Sequence, residues 1–297
     1  MIPAGPAEAA GLRHAAGGLA DALPPLLAEA RQLAAAIQTG EHGRRRAGVG
    51  DEFWQYRAAR PEDEARRIDW RRSARSDQFY VREKEWQAAQ SVHLWVDRSA
   101  SMTFRSAERW PEKGARARVL ALATAILLER AGERFGLADD RAPPRAGRAQ
   151  LGRVAGILAG EAPLAEAEAA ASSATLMTGA RALFLSDFFG DLDRHSDLVL
   201  AAAGRGVTGA LMQIVDPAEE DFPFAGRTIF EMMSGATRHE TQEAGGLRRR
   251  YVERLAERRD RLQALAAKAG WQFTIHRTDQ PPMAALVWIH TILGGAR

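Results

Sequence analysis

The sequence predicts an α/β fold: a mostly parallel sheet flanked by helices, preceded by an N-terminal helix and a small β-containing extension. Three observations predict it. Apolar runs of strand length, SVHLWVD, ARALFLSD and GALMQIVD, recur from Ser91 onward. Longer segments with apolar residues every three or four positions separate them, the spacing of one helix face. Strands that alternate with helices need right-handed crossovers, which set neighbouring strands parallel and cover both faces of the sheet.

In chain order, residues 1–20 are rich in Ala and Gly and offer little to bury. From Pro24 to Gln38, Leu26, Leu27, Ala30, Leu33 and Ile37 recur at helical spacing. GEHGRRRAGVGDEF is a glycine-punctuated linker. Residues 52–90 interleave aromatics with arginine and acid, with a turn expected at Arg60–Glu64 and an alternating strand around Gln78–Glu85. The expected organisation is an N-terminal helical segment (1–45), an extension packed on the main domain (46–90), and the main domain (91–297).

Within that domain SVHLWVD is a buried strand. Pro111 opens a helix to about Gly132, with Ala115, Val119, Leu122 and Ile126 on its inner face. FGLAD is a strand, QLGRVAGILAG a helix and, after the alanine-rich APLAEAEAAASSA, ARALFLSD a strand. DRHSDLVLAAAGR is a helix and GALMQIVD a strand; RTIFEMM and TRHETQE pair as a hairpin. RRRYVERLAERRDRLQALAAKAG is the longest helix, with Val252, Leu255, Leu262 and Leu265 on its core side, and Gly270 ends it. WQFTIHR and the proline-initiated PPMAALVWIHTIL close the chain.

Composition narrows the function classes. The net charge is only +3, and in RRIDWRRSAR the arginines are offset by Asp63, Glu64, Asp69, Asp77, Glu83 and Glu85, so nucleic acid is not an expected partner. An ion-paired layer is expected there instead, with Trp70 packed and Asp69 accepting from arginines. Cysteine is absent, which removes thiol chemistry and Cys-ligated metals. The start lacks signal-peptide character, and VLALATAILLERAG is too short to span a bilayer. A soluble, cytoplasmic protein is expected, without membrane contact. There is neither a Gly-x4-Gly-Lys-Ser/Thr phosphate loop nor a Gly-x-Ser-x-Gly nucleophile elbow.

The chemistry-bearing residues stand at strand ends. DRSAS sets Asp97, Ser99 and Ser101 directly after one apolar strand, and LFLSDFFGD sets Asp187 after another. Ligands of parallel α/β sheets bind at the carboxyl ends of strands, and carboxylates and hydroxyls are the hard oxygen donors that Mg2+ or Mn2+ prefers.

DRSAS resembles the metal-ion-dependent adhesion site (MIDAS) of von Willebrand factor A domains. The segment before it resembles the signature of bacterial DUF58 proteins. Its elements are Gly-x-Glu-Phe, the Arg57-x-x-Arg60-Pro-x-Asp63 turn, Arg66-x-Ile68-Asp69-Trp70, and Ser73-Ala74-Arg75 before a strand. The resemblance implies a von Willebrand A-like fold and a non-enzymatic adaptor. It further implies a MoxR-type AAA+ ATPase and other von Willebrand A proteins as partners, in chaperone-like assembly or activation of clients. By position, Asp97, Ser99 and Ser101 match the first metal loop and Asp187 the last.

The adhesion site also takes a threonine hydroxyl. From Ala125 to Ala171 this chain has neither Ser nor Thr, and the loop reads DDRAPPRAGRAQ. Arg145 or Arg148 is expected there, able to pair with Asp97 or Asp187. Three readings stand side by side: a Mg2+ site, a metal-free pocket filled by arginine, and a turn in which Asp97 and the serines satisfy backbone. The alternative function is a divalent-metal-dependent phosphoesterase or related hydrolase using Asp97, Asp187 and Asp191.

Overall fold

A computed structural model describes residues 26–37, 53–60, 63–75, 78–84, 90–160, 175–224, 228–231, 238–241 and 245–294. The alanine-rich APLAEAEAAASSA lies outside them. The chain divides into two compact units, Met1–Gln38 with Gln90–Arg297, and Thr39–Ala89. The helix at 26–37 (α1) thus belongs to the larger unit, where Ala30, Leu33 and Ala34 join the core.

Five strands form the sheet of the larger unit: β3 (Ser91–Val96), β4 (Arg134–Leu137), β5 (Arg181–Ser186), β6 (Thr208–Val215) and β9 (Gln272–Arg277). Their order is β4-β3-β5-β6-β9 and every pairing is parallel. All six residues of β5 are buried and five of the six in β3, as strands covered on both faces must be. Trp95, Phe184 and Trp271 stack edge to face in sequence, with centroids 5.2 and 5.4 Å apart.

The helices divide between the faces. α3 (Lys113–Arg130), α4 (Arg148–Ala159) and α8 (Pro282–Gly294) share one core with α1, while α5 (Leu192–Gly204) and α7 (Gly245–Ala269) share the other. α3 is buried on nearly every side, because neighbours pack round it as well as the sheet. Val119, Leu122 and Ile126 are buried as their spacing predicts, whereas Ala115 is half-exposed. In α7, Leu255, Leu262 and Leu265 are buried but Val252 is exposed. The expected hairpin is β7 (Thr228–Glu231) with β8 (Arg238–Thr241), antiparallel. No helix among the described residues is long and apolar enough to cross a membrane.

The topology decides where a ligand crevice forms. From β3 the chain passes through α3 to β4 on one side, and β5 then lies on β3's other side. The connections leaving β3 and β5 therefore diverge, and in open α/β sheets the carboxyl ends of two such strands are where ligands bind.

In the smaller unit, β1 (Phe53–Ala58) pairs antiparallel with β2 (Tyr80–Lys84), and the short helix α2 (Trp70–Ser73) lies between them in sequence. β2 answers to the alternating pattern. β1 does not, since FWQYRA mixes aromatic and charged residues without a clean alternation.

Candidate functional site

Asp97 follows β3, and its N–H donates to the Leu185 carbonyl (2.9 Å), continuing the strand pairing by one residue. Its Oδ1 accepts from Ser99 N (2.8 Å) and its Oδ2 from the Ser186 hydroxyl (2.6 Å). Ser186 ends β5 and also accepts from Phe188 N at 2.8 Å, so one hydroxyl ties the two strand ends together. The Ser99 and Ser101 hydroxyls converge to 3.0 Å at the start of a 3-10 turn over Ala100–Thr103.

Asp187 is almost wholly buried, and its Oδ1 accepts from Phe189 N (2.9 Å). Between them Phe188 takes a left-handed backbone (φ 53°), a conformation a bulky residue adopts only when its surroundings impose it. The guanidinium of Arg258, on α7, donates to the Phe188 and Gly190 carbonyls and supplies that constraint.

The cation of the site is Lys113, the first residue of α3 and 0% exposed. Its Nζ donates to Asp187 Oδ2 (2.8 Å) and Glu219 Oε1 (2.5 Å), with the rings of Phe189 and Phe104 at 4.9 and 5.8 Å. Glu219 arrives from α6 (Pro217–Asp221), a short helix after β6. Its other oxygen accepts from Asp216 N (2.9 Å) in a capping box, while Asp216 accepts from Ala218 N (2.8 Å). Asp216 also accepts from Ser106 N (2.9 Å), which fastens the loop after β3 to the end of β6. Carboxylates that follow two strands, β5 and β6, thus meet on one ammonium at the head of α3.

The electrostatics follow from burial. Desolvation raises the Asp97 carboxyl, and the charge of Asp187 adds to it against the hydrogen bonds from Ser186 and Ser99. Desolvation alone would lower Lys113, but Asp187 and Glu219 together outweigh it and raise it. Glu219 is raised by burial, with Lys113 working in the opposite direction.

Arg145 and Arg148 do not enter this site. The backbone of Arg145 exchanges hydrogen bonds with Phe135 while its side chain points outward. Arg148 opens α4 fully exposed, 4.0 Å from Glu129. Their loop leaves from β4, beyond β3, and the cation is delivered by the helix that follows the DRSAS loop. The first threonine after that loop is Thr175, whose hydroxyl donates to the Ala138 carbonyl. Asp191 caps α5 through the Asp193 and Arg194 N–H groups.

The fit to a divalent ion is partial. Cis donors of a Mg2+ octahedron stand about 3.0 Å apart, given bonds of about 2.1 Å, and the two serine hydroxyls match that spacing. The carboxylates do not follow. Each oxygen of Asp97 and Asp187 already accepts from the protein, one from an ammonium that would repel a second cation. Among the described residues no group of three or more His, Cys, Asp or Glu is placed to hold a metal. As they stand, the donors fit a resident ammonium and not Mg2+.

The signature residues of the smaller unit are structural for the most part. Arg57 pairs with Val81 in the β1–β2 ladder, and Ile68 bridges to Val81. Arg60 N donates to Asp63 Oδ2 (2.7 Å) to close the expected turn. Arg66 pairs with Glu64 at 2.5 Å on the surface. Asp69 caps α2, accepting from Arg72 N (3.0 Å) and from the Tyr56 hydroxyl (3.1 Å). Ser73 donates to the Asp69 carbonyl (2.8 Å) and accepts from Tyr80 N (2.9 Å). Ala74 ends α2 and Arg75 N donates to the Arg72 carbonyl. One expectation is refined and one corrected. Asp69 does accept from an arginine, through the backbone N–H of Arg72, with a tyrosine hydroxyl beside it. Trp70 is not packed: it is 57% exposed, edge-on to Phe79. A helix of one turn is too short to bury its first residue while its cap faces β2.

The fold and its strand-end site define a Rossmann-like α/β protein. The model of the family described as "Protein of unknown function DUF58" matches residues 55–261, and the chain belongs to that family. It is also similar to an uncharacterized protein of Mycobacterium bovis and to uncharacterized proteins of two Mycobacterium tuberculosis strains. Each is 26% identical over 283 residues, covering 91% of this chain and 88% of its own length. No solved structure matches the chain.

Proposed function

We propose that the chain is a non-enzymatic adaptor with a von Willebrand A-like domain, working beside a MoxR-type AAA+ ATPase in assembly or activation of client proteins. In this reading the ATPase supplies mechanical work and the strand-end crevice engages the partner. The observation that carries it is the Lys113 ammonium held between Asp187 and Glu219. It offsets Asp187 and Glu219 from within the chain, the part that a metal ion plays for the carboxylates of an adhesion-type site. The half-buried rim of Ser99 and Ser101 is left to contact the partner.

A hydrolase reading has the convergent serine pair in its favour. It lacks an oriented general base: among the described residues no histidine bonds either hydroxyl, and Asp97, which Ser99 does hydrogen-bond, is held by Ser186 and the Ser99 backbone N–H as part of the strand-end tie. An unassisted serine is a poor nucleophile.

The test is capture from a lysate of the source organism by purified wild type and by Ser99→Ala/Ser101→Ala, in Mg2+ and in EDTA. The expected result is an AAA+ ATPase held by wild type in both buffers and lost by the variant. Capture that requires Mg2+ would overturn the ammonium reading, and absence of any such ATPase would overturn the adaptor. Turnover of phosphoesters abolished by both Asp97→Ala and Asp187→Ala would establish the hydrolase instead.

A further inference from the structure

The smaller unit carries a cluster that the strand-end site does not use. Tyr56, Asp69, Arg71, Arg72, Arg75 and Tyr80 line a concavity of about 590 Å³. α2 and the residues just after it bring three exposed arginines to it. The guanidinium of Arg72 lies 4.2 Å from the Tyr56 ring centroid and 5.3 Å from that of Tyr80, so its position is set before a ligand arrives. No carboxylate among the described residues pairs with Arg71 or Arg75. The single carboxylate of the lining, Asp69, already accepts from Arg72 N and the Tyr56 hydroxyl.

We propose that this cleft docks an acidic segment of a partner protein, with side-chain carboxylates taken by Arg71 and Arg75 and Arg72 fixed between them. Charge complementarity argues for it, since guanidinium forks bind carboxylates in paired hydrogen bonds. The aromatic geometry argues against nucleic acid as occupant. Base stacking needs open ring faces, and Arg72 already covers one face of each tyrosine. Basic and acidic residues are also nearly equal in number over 39–89, so the positive charge is a local focus rather than the extended stripe that tracks a phosphate backbone. The cleft's role is independent of the strand-end reading and survives its failure.

The experiment is fluorescence anisotropy with the full chain and three labelled probes: hexaglutamate, hexalysine and a short oligothymidylate. Wild type should bind hexaglutamate, more weakly as salt rises, and ignore hexalysine. Arg71→Glu/Arg75→Glu should weaken that binding by about tenfold or more. Arg249→Glu/Arg250→Glu, two exposed arginines of α7, should leave it within about twofold. Circular dichroism on each variant, with Arg71→Gln/Arg75→Gln as a milder second pair, guards against misfolding. Hexaglutamate binding that is absent from wild type, or equal in wild type and the cleft variant, overturns the proposal. Tighter oligothymidylate binding that the cleft variant abolishes would assign the cleft to nucleic acid instead.

Discussion

Two cationic centres in this molecule make opposite use of positive charge. Lys113 has no exposed surface, two carboxylate partners and two aromatic neighbours. Arg71 and Arg75 are exposed and pair with no described carboxylate. The first is bound up in joining the ends of β5 and β6 to the head of α3, and its loss falls on stability. The second contributes little to folding and is available to a ligand. The two residue types suit these two settings. A compact ammonium fills a small buried gap, whereas planar guanidinia serve a surface that must grip carboxylates.

The sharpest break of that contrast is Lys113→Met, which leaves Asp187 and Glu219 facing each other without a counter-ion. Removing one partner of a buried pair costs about 3–5 kcal/mol, so urea unfolding should show a loss of that order or no folded protein at all. Lys113→Met combined with Glu219→Gln should recover part of it. An unchanged midpoint for the single variant would mean that the ammonium does not hold the strand ends together.

Acid titration probes buried groups of the opposite kind. Burial lowers His93 and His276 to about 4. An unfolded chain binds protons there from about pH 6.5 downward while the folded chain stays neutral, so stability falls as pH drops from about 6.5 to about 4. The loss is roughly 3 kcal/mol for each histidine. Asp97 and Glu219, both raised, act in reverse and return part of it as pH falls through their shifted values. Denaturant midpoints at about pH 7, 5.5 and 4.5 should decline in order. His93→Gln should flatten the decline.

Ser186→Ala removes the hydroxyl joining the two strand ends and leaves Asp97 Oδ2 and Phe188 N each short of a partner; about 1–3 kcal/mol should be lost. The smallest effect belongs to Arg71→Glu/Arg75→Glu, whose unfolding free energy should move by no more than about 0.5 kcal/mol. A larger shift would show that the cleft arginines are structural after all.

The sheet was legible because strands covered on both faces leave almost unbroken apolar runs, as in SVHLWV and RALFLS. The placing of Asp97 and Asp187 followed from parallel topology. Lys113 was not legible, since a lysine in EKGARAR at the head of a helix reads as solvated. It is buried because the helix after DRSAS must start beside the strand ends, and Asp187 and Glu219 wait there. Asp216-Pro217-Ala218-Glu219 did carry a readable signal: its capping-box spacing announces a helix start after β6 and fixes Glu219 toward the crevice. The arginines of DDRAPPRAGRAQ misled because a vacant ligand role suggested a nearby cation, whereas the loop's backbone bonds with Phe135 turn Arg145 outward.

The ion cluster also bears on the order in which the chain assembles. Lys113 is 74 residues from Asp187 and 106 from Glu219, so neither bond can form until distant segments have been gathered. During synthesis the lysine is made before Asp187 and Glu219, its two partners. The cluster is expected to close after the strands that carry it have paired. Substitutions at Lys113 and Glu219 are expected to quicken unfolding and leave the folding limb of a denaturant chevron almost unmoved, the signature of a latch that shuts last.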